Sequence, residues 1–184
     1  MYKKSFVGNG GNSYIIRYRP DNKPFYNIQV KGKTGPNSRD QMDIVNSTTN
    51  EPIAICRRNG SGVWDKRDKF KIYTPVPLYD NQQPEIQYGD QKIPMYVYAR
   101  VLEKYADGHR VHVKLENQKD ETDELPLYEC LSETAGGFKR YIYKQKRQCA
   151  YIREGTHNSL LVKFNPGIDP VFIIALTAIL DEMD

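Results

Sequence analysis

The sequence predicts a mainly β fold, closed as a barrel around one buried hydrophobic C-terminal helix. Three observations predict it. Ten to twelve short runs of β-branched and aromatic residues recur between clusters of turn residues. One segment near the end is apolar on every side, and acidic residues then return it to water.

The strands come first. Residues 14–19 are β-branched and aromatic, and Pro20-Asp21-Asn22-Lys23-Pro24 ends them with turn chemistry. Tyr26, Ile28 and Val30 alternate with Asn27 and Gln29, the period-2 pattern of a half-buried strand. Residues 42–46 and 52–56 read as a hairpin about residues 47–51, and residues 70–73 as a short strand stopped by Pro75 and Pro77. Residues 74–94 are rich in proline and read as a long loop, of a length that is usually functional or mobile. Residues 95–102 form the strongest strand pattern. Asp107-Gly108 turns the chain to Val111, Val113 and Leu115. Residues 127–131, 141–143, 149–152 and 160–164 complete the set.

The helix begins at Asp169-Pro170. Asp accepts free backbone N–H groups at a helix start, and Pro suits the first helical position. Val171-Phe172-Ile173-Ile174-Ala175-Leu176-Thr177-Ala178-Ile179-Leu180 has no polar face, so the helix must be surrounded, with Phe172, Ile174, Leu176 and Ile179 among its buried side chains. Burying its large side chains supplies ~10–20 kcal/mol gross, an upper bound because denatured chains are already partly collapsed.

The 184 residues suit one folded unit at 13–184, preceded by a flexible leader at 1–12. The N-terminus lacks the apolar stretch of a signal peptide, and residues 171–180 fall short of the ~20 needed to span a bilayer. Three scattered cysteines, Cys56, Cys130 and Cys149, fit no zinc spacing. They point to a reducing, intracellular compartment in which each thiol is a small buried hydrophobe.

The net charge of +4 is uneven. Residues 1–92 hold 15 Lys and Arg against 9 Asp and Glu, and the remainder hold 12 against 14. Nucleic acid is a poor fit, because the acidic half would repel its backbone.

Certain residues of this sequence resemble a known family. Phe164-Asn165-Pro166-Gly167-Ile168-Asp169-Pro170-Val171, leading into Ala175-Leu176 and Leu180-Asp181-Glu182-Met183, is similar to the end of LURP-one-related proteins. Val30-Lys31-Gly32-Lys33 with Arg39-Asp40-Gln41-Met42 looks like an early hairpin of that family, and residues 94–101 like the strand opening its second half. The likeness covers residues 14–184 and is most specific at the helix entry. These proteins belong to the tubby C-terminal-like superfamily, with tubby domains and phospholipid scramblases. The resemblance implies a twelve-stranded barrel threaded by its helix. It leaves function open, since fold does not fix function.

Catalytic chemistry finds little support. His109 and His112 are three apart and would point to opposite faces of a strand, a poor metal pair, and His157 stands alone. No nucleophile elbow occurs. The glycine-rich stretches at 8–12 and 59–62 lack phosphate-loop endings, and the acidic run 120–124 lacks the ligand alternation of an EF-hand. The chain is therefore expected to be no enzyme and to need no metal or cofactor.

Two basic clusters stand out. Arg57, Arg58, Lys66, Arg67, Lys69 and Lys71 surround Trp64 and Phe70. Lys139, Arg140, Lys144, Lys146 and Arg147 surround Tyr141 and Tyr143. Either could hold a phosphate by charge-assisted hydrogen bonds at an anionic phospholipid surface, or could be the solvated face of strands. The leading expectation is a non-catalytic binding or scaffold module for a protein partner or larger complex. It would use loops 74–94 and 117–124 and exposed aromatics such as Tyr79, Tyr88 and Tyr105. The alternative is a peripheral module for phosphoinositide or other anionic headgroups.

Overall fold

A computed structural model describes residues 2–7, 11–17, 24–31, 41–58, 68–104, 110–117, 127–132, 139–155 and 159–183. Among them the chain is mainly antiparallel sheet with a single C-terminal helix. The strands are β1 (Tyr2–Val7), β2 (Gly11–Arg17), β3 (Pro24–Lys31), β4 (Gln41–Asn46), β5 (Pro52–Arg58), β6 (Asp68–Thr74) and β7 (Ile86–Tyr88). After them come β8 (Ile93–Lys104), β9 (Arg110–Leu115), β10 (Tyr128–Ser132), β11 (Lys139–Lys144), β12 (Arg147–Glu154), β13 (Ser159–Phe164) and the helix α1 (Pro170–Met183).

The pairing order is β6-β5-β4-β3-β2-β1-β13-β12-β11-β10-β9-β8-β7, and β6 also pairs with β8. Most neighbours in sequence are neighbours in space, as short turns between antiparallel strands require. The segment read from the sequence as a leader, 1–12, includes a strand. β1 lies within it, joined to β2 along its whole length and to β13 through Tyr2 and Lys3.

The expected hairpin about residues 47–51 is β4 and β5. Its turn is fixed by the Asn46 side-chain oxygen, which accepts from the Thr48 and Thr49 N–H groups at 2.8 and 3.2 Å. Alternation then sorts the side chains. Ile28, Ile44 and Ala54 lie opposite one another across β3, β4 and β5, as do Met42, Cys56, Ile72 and Ala99 across β4, β5, β6 and β8. All belong to one buried cluster with the helix.

Helix α1 starts as its sequence dictates. The Asp169 carboxylate accepts the Val171 N–H at 2.9 Å, and the Asp169 carbonyl accepts the Ile173 N–H at 3.2 Å. Gly167 precedes it at φ 82°, a left-handed conformation that glycine adopts without Cβ strain. Nine consecutive residues, Phe172 through Leu180, are buried, so every face of the helix is covered. Thr177 is tolerated there because its hydroxyl donates to the Ile173 carbonyl at 2.7 Å.

The expected loop at 74–94 is also corrected. It contains β7, which pairs with the start of β8 through Ile86, Gln87 and Tyr88. The segment lies over a second buried cluster of Ile55, Tyr73, Met95 and Val97, to which Ile86, Tyr88 and Ile93 pack. A bulge creates this cluster. Ile72 faces Ala99 but Tyr73 faces Val97, leaving Tyr98 as the extra residue on β8. The bulge reverses the alternation, so Val97 joins the outer cluster while Tyr98 packs on the inner one.

Candidate functional site

Of the first predicted basic cluster, Arg57, Arg58 and Lys71 have local partners. Arg57 donates from Nε to Gln41 Oε1 at 2.6 Å, and Gln41 Nε2 donates to the buried Asp43 at 2.5 Å. Arg58 is exposed at the strand end and lies over the Phe70 ring, 5.4 Å from its centre. Lys71 pairs with Glu85 at 2.8 Å. Phe70 is buried in the core rather than presented among the cations. Lys69 lies in β6, while Trp64, Lys66 and Arg67 fall outside the described residues. Register brings Arg57, Lys71 and Arg100 into one cross-strand row, where Arg100 is held bidentately by Glu116 at 2.7 and 3.0 Å.

Of the predicted partner aromatics, Tyr79 is 44% exposed. Tyr88 is half-buried in the outer cluster, and its hydroxyl donates to Asp43 Oδ2 at 2.8 Å. Tyr105 lies outside the described residues, as do His109, His157 and the acidic run 120–124. The segment carrying Tyr79 is pinned from beneath. Buried Gln82 accepts the Leu78 N–H at 2.7 Å and donates to the Val97 carbonyl at 2.6 Å. The Thr74 hydroxyl donates to the Val76 carbonyl at 2.8 Å, and the Glu85 N–H to the Met95 carbonyl at 3.0 Å. The result is a hydrogen-bonded segment on which Val76 is 68% exposed and Tyr79 is exposed three residues on. Burial pushes the Glu85 carboxyl up. The hydrogen bond and charge of Lys71, with the Tyr73 hydroxyl and the Arg100 charge, outweigh burial and hold it below the usual range.

The second basic cluster splits by strand parity. Ile142 is in the core, and Lys144 lies on the same parity, its amine 5.7 Å from the centre of the Tyr128 ring. Arg140 shares that parity and lies opposite Ile152. Lys139, Tyr141 and Tyr143 fall on the other parity, and Lys146 and Arg147 are exposed at the tight turn between β11 and β12.

Four residues that the cluster reading missed, Tyr151, Arg153, Leu161 and Lys163, complete that outer face. Tyr141, Tyr151 and Lys163 lie directly opposite one another across β11, β12 and β13, and Lys139, Arg153 and Leu161 form the next row. The Tyr141 and Tyr151 rings are 5.1 Å apart and inclined by 31°. Together with Gln148, Phe164 and Asn165 they border an open depression of about 530 Å³. The signal was present in the sequence: residues 149–152 and 160–164 alternate, which places Tyr151 and Lys163 away from the core.

A third grouping sits at the helix entrance. Tyr26, Tyr98 and Tyr128 gather about Asp169 and Phe172, with Tyr128 and Tyr98 ring centres 4.6 and 5.9 Å from that of Phe172. Burial, then the Asp169 charge and a hydrogen bond to it, pushes the Tyr98 phenol up to about 12. These rings cap the core end.

The thiols are free and buried. Burial pushes Cys56, Cys130 and Cys149 upward, and Asp43 adds to the effect at Cys56. Protonated, enclosed thiols are poor nucleophiles. His112 is buried beside Glu129, 3.7 Å away. Among the described residues no group of three His, Cys, Asp or Glu side chains comes together to hold a metal, and no helix is long and apolar enough to cross a membrane.

Compared with protein-family models, curated proteins and solved structures, the chain matches none.

Proposed function

We propose that this chain is a non-catalytic binding or scaffold module that meets a protein partner through surface loops, as a subunit of a larger assembly. The observation that carries the reading is the 75–85 segment. Val76 and Tyr79 are exposed on a backbone that Gln82 anchors to β8, so little ordering entropy remains to be lost on docking. An exposed aliphatic and an exposed aromatic three residues apart on one anchored segment suit a protein surface. The anionic-headgroup reading is the weaker one, because Arg57, Lys71 and Arg100 are held by Gln41, Glu85 and Glu116.

The architecture proposed with this function is a barrel of twelve strands closed through the β6–β8 pairing, with α1 along its axis and β7 flanking it. That is the arrangement expected of a LURP-one-related member of the tubby C-terminal-like superfamily. The pairing of β6 with β8 and the burial of nine consecutive helix residues support it. A reducing intracellular location fits three free, buried thiols.

The test is affinity purification from native extract with quantitative mass spectrometry. It compares the parent, a Val76→Asp/Tyr79→Ser variant and a Lys146→Glu/Arg147→Glu variant. A stoichiometric partner lost only in the first variant, with unchanged melting temperature, is the expected result. Partners retained in that variant would overturn the reading.

A further inference from the structure

Outside the 75–85 segment, one large hydrophobic side chain among the described residues remains well exposed: Phe164, at 42%. It lines the depression of about 530 Å³. A β-bulge makes this recess. Cys149 and Tyr151 are two apart on β12, and an unbroken strand would send both side chains outward. Register shifts between Ile142 and Tyr143, which face Ala150 and Gln148, so Cys149 is the extra residue. Its thiol turns into the inner cluster and donates to the Ile142 carbonyl at 3.3 Å. The outer face therefore lacks one side chain beside Tyr151, and the depression lies there. Asn165 fixes the border, donating from its N–H to the Cys149 carbonyl at 2.9 Å and from Nδ2 to the Gln148 carbonyl at 3.0 Å.

We infer that this recess is a binding site for a small planar aromatic acid. Its volume falls in the ~300–1,000 Å³ range of small-molecule sites. The Tyr141 and Tyr151 rings, 5.1 Å apart and inclined by 31°, leave no room for a third ring between them and form one aromatic wall. Offset stacking on that wall selects a flat ring, which also covers the exposed Phe164. Among the described residues that line the recess, Lys163 alone is charged, and it is exposed. Lys163 faces Tyr151 in register, a pairing that sets Cβ atoms ~5 Å apart. A ring seated on Tyr151 therefore carries its carboxylate to the Lys163 ammonium, where the hydrogen bond is charge-assisted. The exposed Gln148 side-chain amide lines the same recess and offers both a donor and an acceptor.

The experiment is isothermal titration calorimetry with three probes: 2-naphthoate, its neutral counterpart 2-naphthalenemethanol, and cyclohexanecarboxylate, an acid without a flat ring. It uses the parent, Lys163→Gln, Tyr151→Leu and a charge-matched control on the other surface, Lys92→Gln. The parent should bind 2-naphthoate at one saturable site, about tenfold more tightly than either other probe, the worth of one charge-assisted hydrogen bond or of the stacked ring. Lys163→Gln should erase the preference for the acid over the alcohol while binding the alcohol as the parent does. Tyr151→Leu should weaken both naphthyl probes about fivefold. Lys92→Gln should change nothing by more than about twofold. Thermal melts of the two lysine variants should match the parent, because exposed charges contribute little to stability. No saturable binding of 2-naphthoate by the parent, or an acid preference that survives in Lys163→Gln, would overturn the inference. So would a tryptophan-containing peptide amide that displaces 2-naphthoate and binds more tightly, since the recess would then belong to a protein side chain. None of these outcomes depends on Val76 or Tyr79, so this recess and the 75–85 segment stand or fall separately.

Discussion

Replacing Ile174 and Leu176 separately by Ala tests whether α1 is enclosed or merely docked. At about 100° per residue, two positions apart on a helix point about 160° away from each other. A helix packed by one face would feel one replacement and tolerate the other. Here Leu176 is fully buried and Ile174 is 8% exposed, within an unbroken run of nine buried residues. Each truncation removes methyl and methylene groups from a filled core and leaves a cavity, at about 2–5 kcal/mol. At ~2–4 °C per kcal/mol for a chain of this size, each variant should melt roughly 4–20 °C below the parent. The Asp versions go further. They add the several kcal/mol of desolvating a carboxylate to the lost burial, which rivals a whole-domain stability of about 5–15 kcal/mol. Ile174→Asp and Leu176→Asp should therefore not fold. Urea titration followed by circular dichroism measures the Ala variants. A loss below about 1 kcal/mol at either position, with the expected loss at the other, would refute enclosure and with it the proposed barrel.

Two further outcomes follow from the buried polar groups and thiols. Cys56 and Cys130 have folded pKa values raised well above the ordinary 9.0, so above that pH the folded chain keeps protons that the unfolded chain releases. Stability is fully present below about pH 9 and is lost as pH rises from there, by roughly 1.4 kcal/mol per pH unit for each thiol. Urea midpoints from pH 7 to 10.5 should show the fall, a Cys56→Ala/Cys130→Ala variant should show a shallower one, and a thiol reagent at pH 8 should label the chain only after unfolding. Gln82→Leu removes both anchors of the 75–85 segment and should cost about 1–3 kcal/mol. Amide exchange at Leu78 should accelerate while Ile173 and Leu176 stay protected, and unchanged exchange at Leu78 would show that the segment is held by other contacts.

What the sequence determined by itself was most of the local elements, β1 and β7 excepted, and the fate of α1. The alternation of Tyr26, Ile28 and Val30, the hairpin at 42–56 and the Asp169-Pro170 start are properties of consecutive residues, and periods of 2 and 3.6 report them directly. The unbroken apolar run to Leu180 could be satisfied only by burial from every side. Tertiary structure decided what depends on register. Whether Arg57 meets a phosphate or Gln41, and whether Lys71 is free or paired with Glu85, is set by cross-strand partners far away in sequence. One bulge at Tyr98 reverses the parity of β8, sends Met95 and Val97 outward and gives residues 74–94 an apolar surface to cover. That turned an expected loop into a fixed segment and Tyr88 into a partner of Asp43. The row of Tyr141, Tyr151 and Lys163 has the same origin, because no stretch of sequence contains it. It exists only where three strands align, and strand alignment is fixed by the whole sheet at once.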